Sequence, residues 1–194
     1  MTKNCLTALY NNPLLSPEDL NVIFDAHQKV TFKKGEKILS KGEISNFYYC
    51  VQEGLIRSYV FDFKENDITV NFFGKNQIAI DVISLFHRIP TVENFEALTD
   101  CECYQIDIET FQTLFHSIKG LTEWGRAWMS ESLFLLKQRS ISMITDSAKE
   151  RYIRLAKQQP EILKYAPLKS IASYLGITAT SLSRIRKELA YSDF

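Results

Sequence analysis

The sequence predicts an α+β fold with three parts: an N-terminal β-roll of jelly-roll type, a long central helix and a C-terminal unit of short helices. Short runs rich in Val, Ile, Phe and Tyr alternate with Gly, Asn, Asp and Lys between Val30 and Ile106, a pattern that favours strands. Residues Leu121 to Ile144 carry helical spacing without proline. After Pro167 helical spacing returns in two short segments joined at a glycine.

The composition is that of a soluble globular protein. The chain has 194 residues, of which 45% are hydrophobic and 24% charged, and its formal net charge is zero. Its apolar runs are shorter than the roughly 18 residues of a membrane span. The polar start from Met1 to Asn4 is unlike a signal peptide. We therefore expect a cytoplasmic protein without a membrane partner.

The N-terminal part is predicted to open with a helix and to continue as strands. Ser16 is an N-cap candidate followed by Pro17 and two acidic residues, and we expect the helix to run to about Gln28. The clearest strands are five apolar runs: Phe47 to Val51, Leu55 to Phe61, Ile68 to Phe73, Val92 to Leu98 and Cys101 to Ile106. A polar hairpin tip, Lys64 to Asp67, separates two of them.

Two apolar stripes run along the predicted long helix, after a short amphipathic helix that begins near Ile108 and ends near Gly120. One stripe holds four side chains: Leu121, Trp124, Trp128 and Leu135. The other holds Leu133, Leu136, Met143 and Ile144. Two stripes indicate two packing partners, the strand domain and a second subunit. We assign Trp128 and Leu135 to the interface of a homodimer; burial within a single chain is the alternative.

The charges are unevenly distributed along the chain. Residues 146–194 contain nine Lys/Arg and five Asp/Glu, so this part carries +4 and the remainder −4. A basic part is what contact with nucleic-acid phosphates requires. The asymmetry is consistent with an acidic sensor joined to a basic DNA-binding domain.

The segment from Leu168 to Leu189 carries the most specific pattern. Its first helix has an apolar inner face made of Leu168, Ile171, Ala172 and Leu175. Gly176 follows where a tight turn requires a positive φ, and Ile177 can fill the space between the helices. Thr178 is an N-cap candidate for the second helix, whose apolar side is Leu182, Ile185 and Leu189.

The other face of the second helix presents small polar and basic groups suited to the major groove: Thr178, Ala179, Thr180, Ser181, Arg184 and Lys187. Small side chains let a helix enter the groove, and an arginine one turn further along can donate two hydrogen bonds to a guanine edge. We predict a helix-turn-helix that binds double-stranded DNA. An ordinary helical hairpin with solvated charges is the alternative.

These features divide the chain into a sensor domain over residues 1–120, a dimerisation helix over 121–145 and a DNA-binding domain over 146–194. A helix from Asp146 to Gln159, stopped by Pro160, is expected to open the last domain.

This layout resembles the Crp/Fnr family of bacterial transcription regulators over nearly the whole chain. Residues Phe47 to Arg57 are similar to a strand-turn-strand motif of the family, and Ile171 to Thr178 with Ser183 to Ile185 are similar to its helix-turn-helix. The resemblance implies a β-roll of the cyclic-nucleotide-binding type and a homodimer. Whether RNA polymerase is a further partner is left open. Many members have Arg and Glu at the positions of Ala179 and Thr180, so the operator need not be the common one.

The sensor pocket departs from the family pattern. Cyclic-nucleotide binders carry a Gly-Glu pair and, about ten residues later, an Arg that neutralises the phosphate. Here Asp81 keeps a carboxylate, but Thr91 stands at the place of the Arg and Glu93 would repel a phosphate. Arg88 is the nearest substitute cation. We assign the effector pocket to Asp81, Arg88, Thr91 and Val92, and expect it to bind something other than cyclic AMP, or nothing.

Other chemistries lack the residues they need. An iron–sulfur cluster requires four thiolates, and the cysteines are scattered: Cys5, Cys50, Cys101 and Cys103. On a strand the last two share a face, which favours reduced, buried thiols. The histidines, His27, His87 and His116, are isolated, and nucleophile motifs and phosphate loops are missing. We predict no enzyme, metal or cofactor. The alternative function is a cyclic-nucleotide or other small-molecule binding module with weak or vestigial DNA binding.

Overall fold

Two four-stranded antiparallel sheets form the N-terminal half of the computed structural model, which describes residues 4–190. In chain order the strands are β1 (Gln28–Phe32), β2 (Lys37–Leu39), β3 (Phe47–Glu53), β4 (Ile56–Phe61), β5 (Asp67–Phe73), β6 (Ile78–Ala79), β7 (Asn94–Ala97) and β8 (Cys101–Asp107). The first sheet has the order β1-β8-β3-β6 and the second the order β2-β7-β4-β5. The α+β class and the β-roll predicted from the sequence are confirmed.

Helices flank the sheets and make up the C-terminal part. They are α1 (Asn4–Leu9), α2 (Pro17–Asp25), α3 (Val82–His87), α4 (Ile108–Ser117), α5 (Lys119–Thr145), α6 (Ala148–Gln158), α7 (Pro160–Tyr165), α8 (Leu168–Tyr174) and α9 (Ala179–Ala190). Within residues 4–190 we find no helix that is both long and apolar enough to span a membrane.

Several predicted boundaries are wrong for local reasons. Ser16 caps α2 as expected, but the helix ends at Asp25, because Gln28 already pairs with Gln105 as the first residue of β1. The sixth helix starts after Ser147, whose hydroxyl accepts from the Glu150 amide, rather than at Asp146. Pro160 takes the first position of α7, where its missing N–H costs nothing, so it begins a helix that the sequence did not predict.

The two sheets enclose one apolar core, and helices cover a second. Between the sheets lie Val51, Ile56, Phe73 and Phe95. Cys101 and Cys103 point into the same core and are buried as predicted. The second core lies between the first sheet and the helices α1, α2, α4 and α5, and is contributed in part by Tyr10, Tyr48, Phe111, Leu121 and Trp124.

The two ends of α5 have different surroundings. At its N-terminal end Leu121 and Trp124 are buried, and the Trp124 indole N–H donates to the Leu9 carbonyl at 2.6 Å. Trp128 is half-buried with its ring stacked on that of Trp124, whereas Leu135 is 52% exposed. Further along, a set of large apolar side chains is exposed: Met129, Leu133, Phe134, Leu136, Ile141, Met143 and Ile144.

Helix α5 starts at Lys119, two residues before the predicted start, and so includes Gly120. The chain approaches Leu14 closely at this glycine, and a substitution tests that approach. A Cβ there would overlap the Leu14 carbonyl oxygen, so the backbone would have to move. We expect Gly120→Ala to lower the free energy of unfolding by about 1–3 kcal/mol in urea denaturation, although alanine is the better helix former. The control is Gly74→Ala, because the nearest atom to its added Cβ is 3.8 Å away. Equal stability of the two variants would contradict the close approach.

Candidate nucleic-acid interface and effector pocket

The helix-turn-helix has the geometry that its sequence predicts. Gly176 has φ +69°, which fits the turn between α8 and α9. The Thr178 hydroxyl accepts a hydrogen bond from the Ser181 amide at 3.1 Å and so caps α9. Leu182 is fully buried and Ile185 nearly so, while Leu189 is half-buried. The second helix is therefore held by its apolar side and leaves the other side free.

The free side of α9 contains most of the predicted DNA-facing residues. Thr180, Arg184 and Lys187 are exposed. Ser181 is half-buried, and its hydroxyl lies 2.9 Å from that of Thr178. Ala179 packs against the apolar core of the C-terminal unit, so it presents a smaller surface than the sequence suggested.

Part of the basic charge after Asp146 acts inside the protein. The Arg151 guanidinium donates to the Leu175 carbonyl at 3.0 Å and to the Asp146 carbonyl at 2.5 Å, and Arg154 pairs with the Asp146 carboxylate. Arg151 thus holds α6 against the end of α8, and both arginines join α6 to the end of α5. By contrast, Arg184 and Lys187 of α9 are exposed to solvent.

The C-terminal unit packs directly on the β-roll. Leu55, Phe72 and Leu98 of the β-roll share one buried cluster with side chains of the later helices: Leu155, Ile162, Ile171, Ala172, Leu175 and Leu182. The rings of Phe72 and Tyr174 meet edge to face with centroids 5.2 Å apart. The helix-turn-helix and the β-roll therefore share a hydrophobic contact.

A buried arginine adds polar bonds to this contact. Arg57 on β4 makes a bidentate pair with Asp67, at 2.7 and 2.8 Å, and binds Glu96 at 3.1 Å. It also donates to the Ser170 hydroxyl of α8 at 3.1 Å. Burial alone would lower the pKa of the Arg57 guanidinium, but its bonds to the two carboxylates outweigh burial and raise that pKa. Arg57 therefore stays charged at the domain contact.

The predicted effector residues do not converge on one pocket. Asp81 is the N-cap of α3, accepting from the Ser84 amide at 3.0 Å, and it also accepts from the buried Thr91 hydroxyl at 2.5 Å. Both groups are thus used by the loop itself. Arg88 donates to the Ser45 carbonyl and the Asn46 side chain, each at 2.6 Å, and Val92 is 68% exposed.

A cavity of about 580 Å³ lies between the second sheet, α5 and the C-terminal helices. Ser58, Asn71 and Glu93 line it from the sheet side, and Trp128 and Ser132 from α5. Burial raises the pKa of the Glu93 carboxyl, the Ser58 hydroxyl opposes the shift, and the charge of Asp81 adds to it. The sequence analysis considered Glu93 only as a repulsive charge and did not predict that it lines this cavity.

The cysteines lie in surroundings that disfavour thiolate formation. All four are buried and free. Burial raises the pKa of the Cys5 thiol to about 11 and that of Cys50 well above its usual value. Among residues 4–190 no group of three or more His, Cys, Asp or Glu side chains is arranged to hold a metal ion.

Comparison with known proteins agrees with this geometry. Residues 29–117 match the model of the cyclic nucleotide-binding domain family. FixK2 from Bradyrhizobium japonicum is 16% identical, with a TM-score of 0.72 over 86% of each chain. The c-di-GMP responsive global regulator CLP from Xanthomonas campestris is 13% identical, with a TM-score of 0.70 over 92% of this chain and 93% of its own.

The Catabolite Activator Protein of Thermus thermophilus is 18% identical, with a TM-score of 0.59 over 96% of this chain and 88% of its own. The three matches cover 86–96% of this chain. The chain has the fold of Crp/Fnr regulators. At these identities the likeness establishes the fold alone, and the choice of ligand and operator depends on the residues of this chain.

We expect cyclic AMP not to bind at micromolar concentrations, unlike in a Crp/Fnr pocket that carries the phosphate-binding Arg. Thr91 brings no cation to that place, Arg88 is engaged elsewhere, and Glu93 would repel the phosphate. Isothermal calorimetry is the measurement. A dissociation constant below roughly 10 µM would contradict this expectation. Loss of such binding in Arg88→Ala would then identify the replacement cation.

Proposed function

We propose that the chain is a homodimeric DNA-binding transcription regulator, and not an enzyme, with an effector pocket that is not specific for cyclic AMP. The observation that carries the proposal is the exposed basic side of α9. The same helix is fixed by the Thr178 cap at its start and by the buried Leu182 on its opposite side. A recognition helix needs one face packed firmly against its own domain and an opposite, polar face exposed to the DNA. The exposed side of α9 includes Arg184, whose guanidinium suits a guanine edge.

A homodimer is supported by the exposed apolar side chains of α5. Leu133, Leu135 and Leu136 are each more than half exposed, and Ile144 is 86% exposed. Several large apolar side chains left exposed on one helix are characteristic of a protein–protein interface. If two copies pair along α5, their α9 helices must lie about 34–36 Å apart to reach successive major grooves, and the operator should be a near-palindrome.

The effector pocket is supported by the cavity beside Glu93. Its volume, about 580 Å³, is in the range of small-molecule sites. Its sheet side offers a carboxylate, a hydroxyl and an amide, which suit hydrogen-bond donors rather than a phosphate. A ligand there would touch both the sheet and α5.

Mobility shift of the full chain on duplex DNA across a salt series tests the proposal. A DNA-binding regulator should lose affinity steeply as salt rises, because each phosphate contact releases counterions. Selection from a random duplex library should return a palindrome. Absence of any shifted complex at low salt would refute DNA binding and favour the small-molecule module.

Two substitutions on α9 should have different effects on DNA binding. Arg184→Ala should cost about 1–3 kcal/mol per half-site and relax the preference at one base position. Lys187→Ala, further along the helix, should weaken binding to all sequences alike and reduce the salt slope by about one unit. Fluorescence anisotropy on the selected operator and on its single-base variants measures both. Unchanged base preference in Arg184→Ala would show that α9 is not the recognition helix.

Charges placed on the exposed side of α5 should separate the subunits. We expect Leu133→Asp with Leu136→Asp, two exposed positions of the same stripe, to sediment as a monomer, since the buried carboxylates would oppose each other across the seam. The double variant Glu131→Gln with Gln138→Glu, at exposed polar positions of the same helix, is the control and should remain dimeric. Unchanged dimers of the leucine variant would place the interface elsewhere.

A further inference from the structure

We propose that Arg139 is a positioning residue that fixes the helix-turn-helix relative to α5 and thereby sets which half-site spacing the dimer accepts. The inference rests on the proposed DNA-binding function. It concerns a side chain that lies outside the recognition helix and lines the cavity from α5. Its basis is one guanidinium on α5 that binds two other elements, β5 and α8, at once.

The Arg139 guanidinium joins the sensor to the helix-turn-helix. From α5 it donates to the Val70 carbonyl of β5 at 2.5 Å and to the Tyr174 carbonyl at the end of α8 at 3.2 Å. Its centre also lies 4.1 Å from the centroid of the Tyr174 ring. A charged donor is well placed there, because the last carbonyls of a helix lack partners within the helix.

The partner on β5 is an edge position. Among residues 4–190, β5 pairs only with β4. The pairing shifts register between Ser58 and Tyr59, which leaves Val70 without an opposite residue on β4. The adjoining Thr69 amide donates to the Ser173 hydroxyl of α8 at 3.1 Å. Thus α8 and Arg139 together cover the edge of β5 at its bulge.

The covalent route from α5 to α8 cannot fix this geometry by itself. It passes through three breaks in helical structure, at residues 146–147, at Gln159 and at residues 166–167. Each break is a place where backbone dihedral angles can change the direction of the next helix. Arg139 bypasses all three, since it binds the end of α8 directly from α5.

The position of α8 determines the position of α9. Their contact includes the fully buried Leu182, so the two helices move as one unit. If two α5 helices form the seam, a shift of each unit changes the separation of the two α9 helices. One base-pair step is about 3.4 Å, so movements of a few ångströms change the preferred spacing.

The test uses the full-length protein and the half-site that the wild type selects from a random duplex library. Palindromic duplexes are made with the spacer lengthened or shortened by one base pair, together with a single half-site. Arg139→Gln is compared with Lys137→Gln, which removes the same charge from an exposed position of α5. Ser173→Ala provides a second, milder variant should Arg139→Gln fold poorly, and Arg139→Lys tests rescue.

We expect the wild type to favour one spacing. In Arg139→Gln that preference should fall about fivefold or more, while single half-site affinity changes less than about twofold. Ser173→Ala should shift the preference in the same direction, Arg139→Lys should restore part of it, and Lys137→Gln should retain it. Sedimentation should show dimers throughout.

An unchanged spacing preference in Arg139→Gln and Ser173→Ala would overturn the inference. So would an equal loss of affinity at every spacing and at the single half-site, which is the result of a merely structural role. A wild type that binds palindromes of all spacings alike would also overturn it and leave DNA binding intact. A wild type that binds no duplex would instead refute the proposed function.

Discussion

In the part of the chain that the structure describes, strand β5 has a neighbouring strand on one side, so the main-chain groups along its other side need partners from outside the sheet. The first helix of the helix-turn-helix and the Arg139 guanidinium supply them at Thr69 and Val70. Phe72, two residues on, carries the apolar part of the same contact to Tyr174. The contact between the C-terminal unit and the β-roll thus supplies hydrogen-bond partners to the edge of the second sheet. The same contact fixes the position of the C-terminal unit.

The hydrogen bonds of Arg57 at this contact require a charged guanidinium, which burial disfavours. Arg57 remains charged because Asp67 and Glu96 on neighbouring strands neutralise it, and the Tyr59 ring lies 4.2 Å from its centre. A charge held this way has little freedom, which gives the contact a defined geometry that an apolar patch alone would lack. The cavity adjoins the same strands, and Tyr174 lines its far end. A molecule bound in the cavity would therefore contact Tyr174 of the helix-turn-helix directly.

The sequence predicted the elements that have a long hydrophobic period or a specific turn residue. It missed the elements and bonds that depend on contacts between residues far apart in the chain. The strands around Phe73 and the turn at Gly176 follow from alternation and from a required φ. The three unpredicted helices α1, α3 and α7 have six residues each, too few to show a helical period. The bond from Arg57 to Ser170 joins residues 113 positions apart, and no local pattern encodes it. For the same reason Arg88 was expected in the pocket, whereas it binds Ser45 and Asn46.

The burial of the four thiols has a practical consequence. Only a thiolate reacts readily with maleimides or alkylating reagents, and burial keeps Cys5, Cys50, Cys101 and Cys103 protonated and out of reach. A new cysteine placed on the exposed side of α9 would then be the reactive one in the folded protein. Probes could be attached there without first replacing the natural cysteines, which would preserve the packing between the two sheets.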